Sequence, residues 1–168
     1  MNFKIRKGKI GDERDIAQMF NEGLRRKNYL YTGADKQYDK KRILKMRKMW
    51  KNKDQLHLVC IDQKTKKVVG QVSAYWKNRG RTAHRTDLGW RVHPDYQGNG
   101  IGTLLLNKIL LELKKKGFKR VQAECATKNI ASWKMARKNG FKIEGTLKGG
   151  LKTDEGKLID TYLVGRLL

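Results

Sequence analysis

Val92-His93-Pro94-Asp95-Tyr96-Gln97-Gly98-Asn99-Gly100-Ile101-Gly102-Thr103 carries residue types at a spacing suited to holding a polyphosphate. A β-branched strand end runs into a proline-marked turn. Three glycines at alternate positions then let the backbone bend tightly and present its N–H groups. An apolar helical run starts at Ile101, and the helix N-terminus adds partial positive charge. The chemistry on offer is main-chain binding of a pyrophosphate, hence of a phosphorylated cofactor. The G-x-G-x-G spacing fits neither the dinucleotide pattern G-x-G-x-x-G nor the phosphate-loop pattern G-x-x-x-x-G-K-[ST]. It also lies in mid-chain after several strands, whereas a dinucleotide fold usually begins with it.

The elements that must position this segment can be read from periodicity. Phe3–Arg6 alternates like a short strand. Gly11-Asp12 precedes a helix with Ile16, Met19, Phe20 and Leu24 on one face, which Asp12 can cap. A second helix is expected from about Lys36 to Lys51, with Ile43, Met46, Met49 and Trp50 at helical spacing. Leu56–Ile61 and Val68–Trp76 read as a hairpin around Gln63–Lys67, and Asn78-Arg79-Gly80 as a turn. A strand from about Ala83 to Val92 feeds the glycine segment. The helix from Ile101 to about Lys116 ends at Gly117. Lys119–Cys125 is the next strand, and Ile130–Lys138 the next helix. Phe141–Leu147 and Leu158–Val164 pair around Asp154-Glu155-Gly156. The order β-α-α-β-β-β-α-β-α-β-β predicts an α/β (α+β) fold, a mixed sheet with helices on its faces.

Composition narrows the classes. At 168 residues with 38% hydrophobic content, the chain reads as one globular domain over residues 1–168. Forty Lys and Arg against 16 Asp and Glu give a formal charge of +24. Such a balance favours polyanionic partners and opposes cationic ones. Heat adaptation explains only part of the excess, because it usually raises Glu along with Lys. Cys60 and Cys125 lie in strand-like apolar runs and read as buried free thiols rather than a bridge. No His/Cys cluster has the spacing of a metal site, so no metal is expected. The N-terminus lacks the apolar region of a signal peptide, and no run approaches membrane-spanning length. A cytoplasmic location with no membrane association is the expectation.

Gln97-Gly98-Asn99-Gly100-Ile101-Gly102 resembles the Q/R-x-x-G-x-G/A pyrophosphate loop of the GNAT acetyltransferase superfamily. Asn129-Ile130-Ala131-Ser132-Trp133-Lys134-Met135-Ala136-Arg137-Lys138-Asn139-Gly140-Phe141 is similar to that family's N-x-x-[SA]-…-G-F segment. The two motifs have the family's order and approximate separation, and the resemblance covers nearly the whole chain. Within the superfamily, this segment and Asp160–Arg166 look closest to ribosomal-protein-type N-acetyltransferases.

The resemblance implies a mostly antiparallel seven-stranded sheet flanked by four helices, with acetyl-coenzyme A as donor. Gln97 would open the loop. Backbone N–H groups of Gly98, Asn99, Gly100, Ile101, Gly102 and Thr103 would hold the pyrophosphate. Val92 would pair with pantetheine where two strands part, and Asn129 would bond the pantetheine arm or the adjoining loop, with Ser132 on the same helix. Transfer to an amine needs a base, a polarised carbonyl and a proton for the leaving thiolate. Glu124 stands where related enzymes carry the base, its other reading being an exposed strand carboxylate. His84 and Asp87, on the strand before the loop, are alternative bases. The family's usual proton-donating Tyr is replaced by Ala136, which leaves Ser132, another tyrosine or water for that step.

Twelve basic residues lie between Arg25 and Lys53, opposed within the stretch only by Asp35 and Asp39, with Tyr29, Tyr31, Tyr38 and Trp50 interleaved. In the family the first two helices line the acceptor side of the cleft. This wall would favour an acidic protein segment, an RNA or a ribonucleoprotein over polyamines and Lys-rich tails. The leading expectation is therefore an N-acetyltransferase acting on an amino group of a protein or RNA-linked acceptor. The alternative is a nucleic-acid- or ribosome-binding module on the same fold with weak or no transfer. Oligomeric state stays open, a homodimer included.

Overall fold

The structure, a computed structural model, describes residues 2–26, 29, 39–76 and 80–168; of Met49 only the backbone is considered. The elements are β1 (Phe3–Lys7), α1 (Glu13–Arg25), α2 (Lys40–Met49), β2 (Gln55–Asp62), β3 (Val68–Tyr75), β4 (Arg85–Val92), α3 (Ile101–Lys115), β5 (Arg120–Ala126), α4 (Ile130–Lys138), β6 (Lys142–Lys152) and β7 (Leu158–Leu167). They build one seven-stranded sheet in the order β1-β2-β3-β4-β5-β7-β6. Every pairing is antiparallel except β4 with β5, which the crossover helix α3 joins in parallel.

The sheet is covered on both faces at its β1–β4 end. Leu58 and Cys60 point to the α3 side, where they meet Leu105, Ile109 and Leu113 in the main core. Alternate residues Val59 and Ile61 meet Ile16 and Met19 of α1 and Met46 of α2 on the other face. Burial on both faces makes β2 and β3 read as nearly continuous apolar runs. Toward β6, α4 covers only the α3 side. On the opposite face Leu147 and Leu163 stay exposed, and Tyr29 packs on a small cluster of Ala126, Leu151 and Ile159.

Local chemistry departs from the sequence expectation at two helix starts. Asp12 occupies the N-cap of α1 but makes no cap hydrogen bond with its side chain. Its carboxylate instead takes both guanidinium arms of Arg6, at 2.6 and 2.7 Å, and the Lys9 N–H. The second helix starts at Lys40, capped by Asp39, which accepts from Arg42 N–H. The expected first turn at 36–38, and residues 78 and 79 of the expected turn, lie outside the described residues. The two cysteines are free and buried.

α2 is fastened to α1 by the ion pair between Arg47 and the fully buried Glu13. Beneath it lies His57, whose Nδ1 is 2.8 Å from Ser73 Oγ and whose Nε2 is 2.9 Å from Gln55 Oε1. A neutral ring satisfies both partners, donating through one nitrogen and accepting through the other. Burial, helped by the charge of Arg91, pushes the His57 pKa down to about 4. The unfolded chain therefore binds a proton here that the folded chain refuses, so stability falls as pH drops below about 6.5. The loss is complete near pH 4 and amounts to about 3 kcal/mol. Chemical denaturation across this range should reveal that decline. His57→Gln should flatten it between about pH 6.5 and 4.5, where the carboxylates of Glu13 and Asp62, held below their usual range, remain ionised.

Candidate active site

The central cleft exists because β4 and β5 pair for only three positions, Arg85 with Arg120, Thr86 with Val121 and Asp87 with Gln122. Beyond them β4 stays with β3 as far as Val92, while β5 stays with β7 as far as Ala126. The strands part, and a cavity of about 1150 Å³ opens between Leu88–Val92 and Ala123–Ala126. That is large for a small-molecule site and long enough in the strand direction for an extended ligand.

The mouth of the cleft is the glycine segment. A 3-10 turn at Pro94–Tyr96 follows β4, and Tyr96 Oη donates to Asp62 Oδ2 at 3.0 Å, tying the turn to β2. Gly98 and Gly100 take φ of +79° and +75°, a region costly for residues with a Cβ. Gly100 is the N-cap of α3 and offers no side chain, so the first N–H groups of α3 have no side-chain cap. Those donors and the helix dipole suit a pyrophosphate. Gly102 serves packing instead. A Cβ there would lie 2.3 Å from Met135 Sδ, so glycine is what lets α3 approach α4. Val92, Gln97, Gly98, Gly100, Ile101, Gly102 and Thr103 all line the cleft. Asn99 instead holds the turn, its Nδ2 donating to Tyr96 O and Gln97 O at 3.2 Å each.

The α4 wall brings Asn129 and Ser132 to the cleft. Asn129 lines the cleft, but its Oδ1 accepts from Ser132 N–H at 3.3 Å and so caps α4. Ser132 Oγ accepts from Trp90 Nε1 at 3.1 Å and faces Cys125 Sγ at 3.5 Å. Trp90 is on β4 and Cys125 on β5, so one hydroxyl from α4 bridges the two parted strands. Burial pushes the Cys125 thiol upward, keeping it protonated and a poor nucleophile. Ala136 is fully buried, and Phe141 N–H closes onto its carbonyl at 3.1 Å to end α4. The Gly-Phe pair thus terminates the helix and seats Phe141 against Trp90, ring centroids 6.2 Å apart.

On the face opposite α4, Glu124 lines the cleft and accepts a short hydrogen bond from the buried Thr161 hydroxyl. Asp87 lines the same cavity one strand away and accepts from Gln122 Nε2 at 2.8 Å. His84 is not with them. It precedes β4 in an exposed turn, its Nδ1 2.9 Å from Arg81 O, outside the cleft. Trp90, Cys125, Gln122 and Thr161 are site residues that sequence reasoning misses. Only their register across β4, β5 and β7 brings them together, and no local motif announces it.

The basic stretch is less bare than its sequence suggests. Arg25 and Arg26 pair with Glu22, Arg26 reaches Asp95 at 2.7 Å, and Arg47 takes Glu13, all acids outside Arg25–Lys53. Lys27, Tyr31, Asp35, Lys36 and Tyr38 lie outside the described residues. Among the described residues no group of three or more His, Cys, Asp or Glu side chains could hold a metal ion. None of the described helices is long and apolar enough to cross a membrane.

With this geometry in place, residues 16–141 match the Acetyltransferase (GNAT) family. The chain belongs to that family. A curated relative, an uncharacterised N-acetyltransferase of Methanocaldococcus jannaschii, is 34% identical over 61 residues, 36% of this chain and 27% of the relative. The matched stretch thus spans about a quarter of that protein's length. A GNAT-family acetyltransferase from Streptococcus pneumoniae superposes with a TM-score of 0.87 at 26% identity, over 99% of this chain and all of the other. A putative acetyltransferase from Salmonella typhimurium, solved with acetyl-coenzyme A, shares the fold at a TM-score of 0.86 and 21% identity, covering 100% and 95% of the two chains.

Contact between α3 and α4 is what keeps the cleft mouth and its α4 wall in register. Gly102→Ala should cost about 1–3 kcal/mol by overpacking against Met135 and weaken binding of acetyl-coenzyme A. In a Met135→Ala background most of that penalty should vanish, which a double-mutant cycle of denaturation and calorimetric titrations will read.

Proposed function

We propose that this chain is an acetyl-coenzyme A-dependent N-acetyltransferase, one acyltransferase domain over residues 1–168, acting in the cytoplasm on an amino group of a protein or RNA-linked acceptor. The observation that carries the reading is the position of Glu124. Its carboxylate borders the cavity where β4 and β5 part, on the sheet face that also carries Asp87 and Gln122. The glycine loop at the cleft mouth fits the donor's pyrophosphate, because the N–H groups opening α3 lack a side-chain cap. The Salmonella typhimurium relative, bound to acetyl-coenzyme A, supports the same donor here.

Acetyl-coenzyme A supplies an activated thioester, and the residues of this chain divide the remaining work in three. Glu124 takes a proton from the acceptor ammonium, directly or through water, and the Thr161 hydroxyl holds that carboxylate in place. Backbone N–H groups along the free edge of β4 polarise the acetyl carbonyl. The leaving sulfur takes a proton through water, since Ala136 offers none and the Ser132 hydroxyl is engaged with Trp90 and Cys125. Asp87, hydrogen-bonded to Gln122, tunes the field beside Glu124.

A second reading, binding of nucleic acid or ribosome with little transfer, is favoured by one feature. Lys40, Lys41 and Lys48 stand exposed on α2 in a chain of charge +24. RNA affinity that falls steeply with salt would support this reading, and a flat response would remove it.

Labelled acetyl-coenzyme A offered to lysate fractions, with and without nuclease, should yield a labelled acceptor. Glu124→Gln should slow that transfer by about 10²–10⁴-fold near neutral pH and leave acetyl-coenzyme A affinity unchanged by calorimetry. An unchanged rate would take Glu124 out of the chemistry. Thr161→Val should lower kcat by about tenfold with KM nearly constant, as expected of a positioning residue.

A further inference from the structure

A second, smaller cavity lies under α2 on the same sheet face as Glu124. It measures about 210 Å³, room for about seven waters. Arg42, Lys45, Met46 and Trp50 of α2 close it from above, and His57, Gln71, Tyr75 and Arg91 form its floor on β2, β3 and β4. Arg42, Met46 and Trp50 recur at intervals of four residues. Arg42 therefore shares the sheet-facing stripe of α2 with Met46 and Trp50, while the exposed Lys45 borders the cavity from its flank.

Three features give this cavity a chemical sign. Three of its lining residues are cationic, and none of the described lining residues is a carboxylate. Its aromatic members meet in sequence, Trp50 stacked on His57 at 6.3 Å and Tyr75 edge-on to His57 at 5.7 Å, giving rigid walls. Trp50 Nε1 is a buried donor without a hydrogen-bond partner, and it is the sole such side-chain atom found among the described residues. Trp50 itself lines the cavity, so an unpartnered donor and three cations belong to one small region with no carboxylate among its described lining residues.

The cavity also has a fixed relation to the transfer site. Arg91 lines both cavities. Tyr75 pairs in register with Asp87, and Asp87 with Gln122, two residues before Glu124. Tyr75 of the floor thus lies two strand spacings, about 10 Å, from β5, and the parting of β4 from β5 widens that span toward Glu124.

We propose that the cavity under α2 is a subsite for an anionic group, a carboxylate or a phosphate, that the acceptor carries about 10 Å or more from the amine to be acetylated. The inference rests on the transferase reading above and narrows its acceptor class. An amine with an oxyanion at that reach spans both sites, whereas a purely cationic polyamine would place positive charge against Arg42, Lys45 and Arg91. Arg91 is the hinge of the arrangement, its guanidinium lying over the Phe20 ring at 3.7 Å while its charge serves both cavities.

The test uses the full chain loaded with acetyl-coenzyme A and labelled with nitrogen-15 at tryptophan and histidine. Inorganic phosphate and succinate are titrated separately. Either anion should move the Trp50 indole and His57 signals along one saturable curve. Phosphate alone would assign a phosphorylated acceptor, succinate alone a carboxylate-bearing one, and both together the shared oxyanion chemistry. Lys45→Gln should weaken that curve at least tenfold, whereas Lys48→Gln, an exposed lysine outside the lining, should leave it unchanged. No saturable response, or equal weakening in the two variants, would overturn the subsite while leaving the transferase reading intact. Calorimetry of acetyl-coenzyme A on the same samples separates the two. Failure of that binding would overturn the transferase reading and, with it, the subsite's assignment to an acceptor.

Discussion

The parting of β4 from β5 is the constraint on which the rest of the molecule depends. Three parallel residue pairs hold the strands together, and then β4 follows β3 while β5 follows β7. A sheet opened in this way leaves backbone groups without ladder partners, which is costly unless something else satisfies or covers them. α4 braces the opening by a side-chain link, the Ser132 hydroxyl joining Trp90 of one strand to Cys125 of the other. α3 adds to the demand, because its first N–H groups, without a side-chain cap, stand at the mouth of the same opening. The cleft is thus a defect in the sheet, stabilised from one side and kept open for a ligand on the other.

Charge is distributed with more order than a total of +24 implies. The cations nearest the fold's joints are engaged: Arg6 with Asp12, Arg47 with Glu13, Arg120 with Glu144. Exposed pairs such as Arg25 with Glu22 contribute little to stability and serve mainly to moderate local repulsion. α2 carries exposed Lys40, Lys41, Lys45 and Lys48 on its solvent side and turns Arg42 toward the sheet. The first kind gives long-range attraction for any polyanion, and the second gives a confined place for one anionic group.

Much of the architecture is legible in the sequence because it rests on local rules. Periodicity places all seven strands and four helices, with α4 matched at both ends and α3 ended by Gly117. β6 and β7 run longer than their apolar cores suggest, since β6 pairs with β7 through Lys152 and β7 pairs with β5 through Leu167, both exposed. Asp12 reads as a helix cap in the sequence because nothing local reveals that Arg6, on the neighbouring strand, claims its carboxylate. In the site, the loop from Gln97 to Thr103 is visible, while the capping role of Asn129 and the distance of His84 from the cleft are not.

The sequence by itself determined the donor side: a strand end, three spaced glycines and a helix start are contiguous in the chain, and their backbone geometry follows from residue type. Tertiary structure alone decided the rest of the cleft. Glu124 acquires Thr161 from β7, Ser132 acquires Trp90 and Cys125 from two strands, and α2 acquires a floor from three. Trp90 and Ser132 alone lie 42 residues apart in the chain. Their meeting depends on sheet order and register, which no window along the sequence contains.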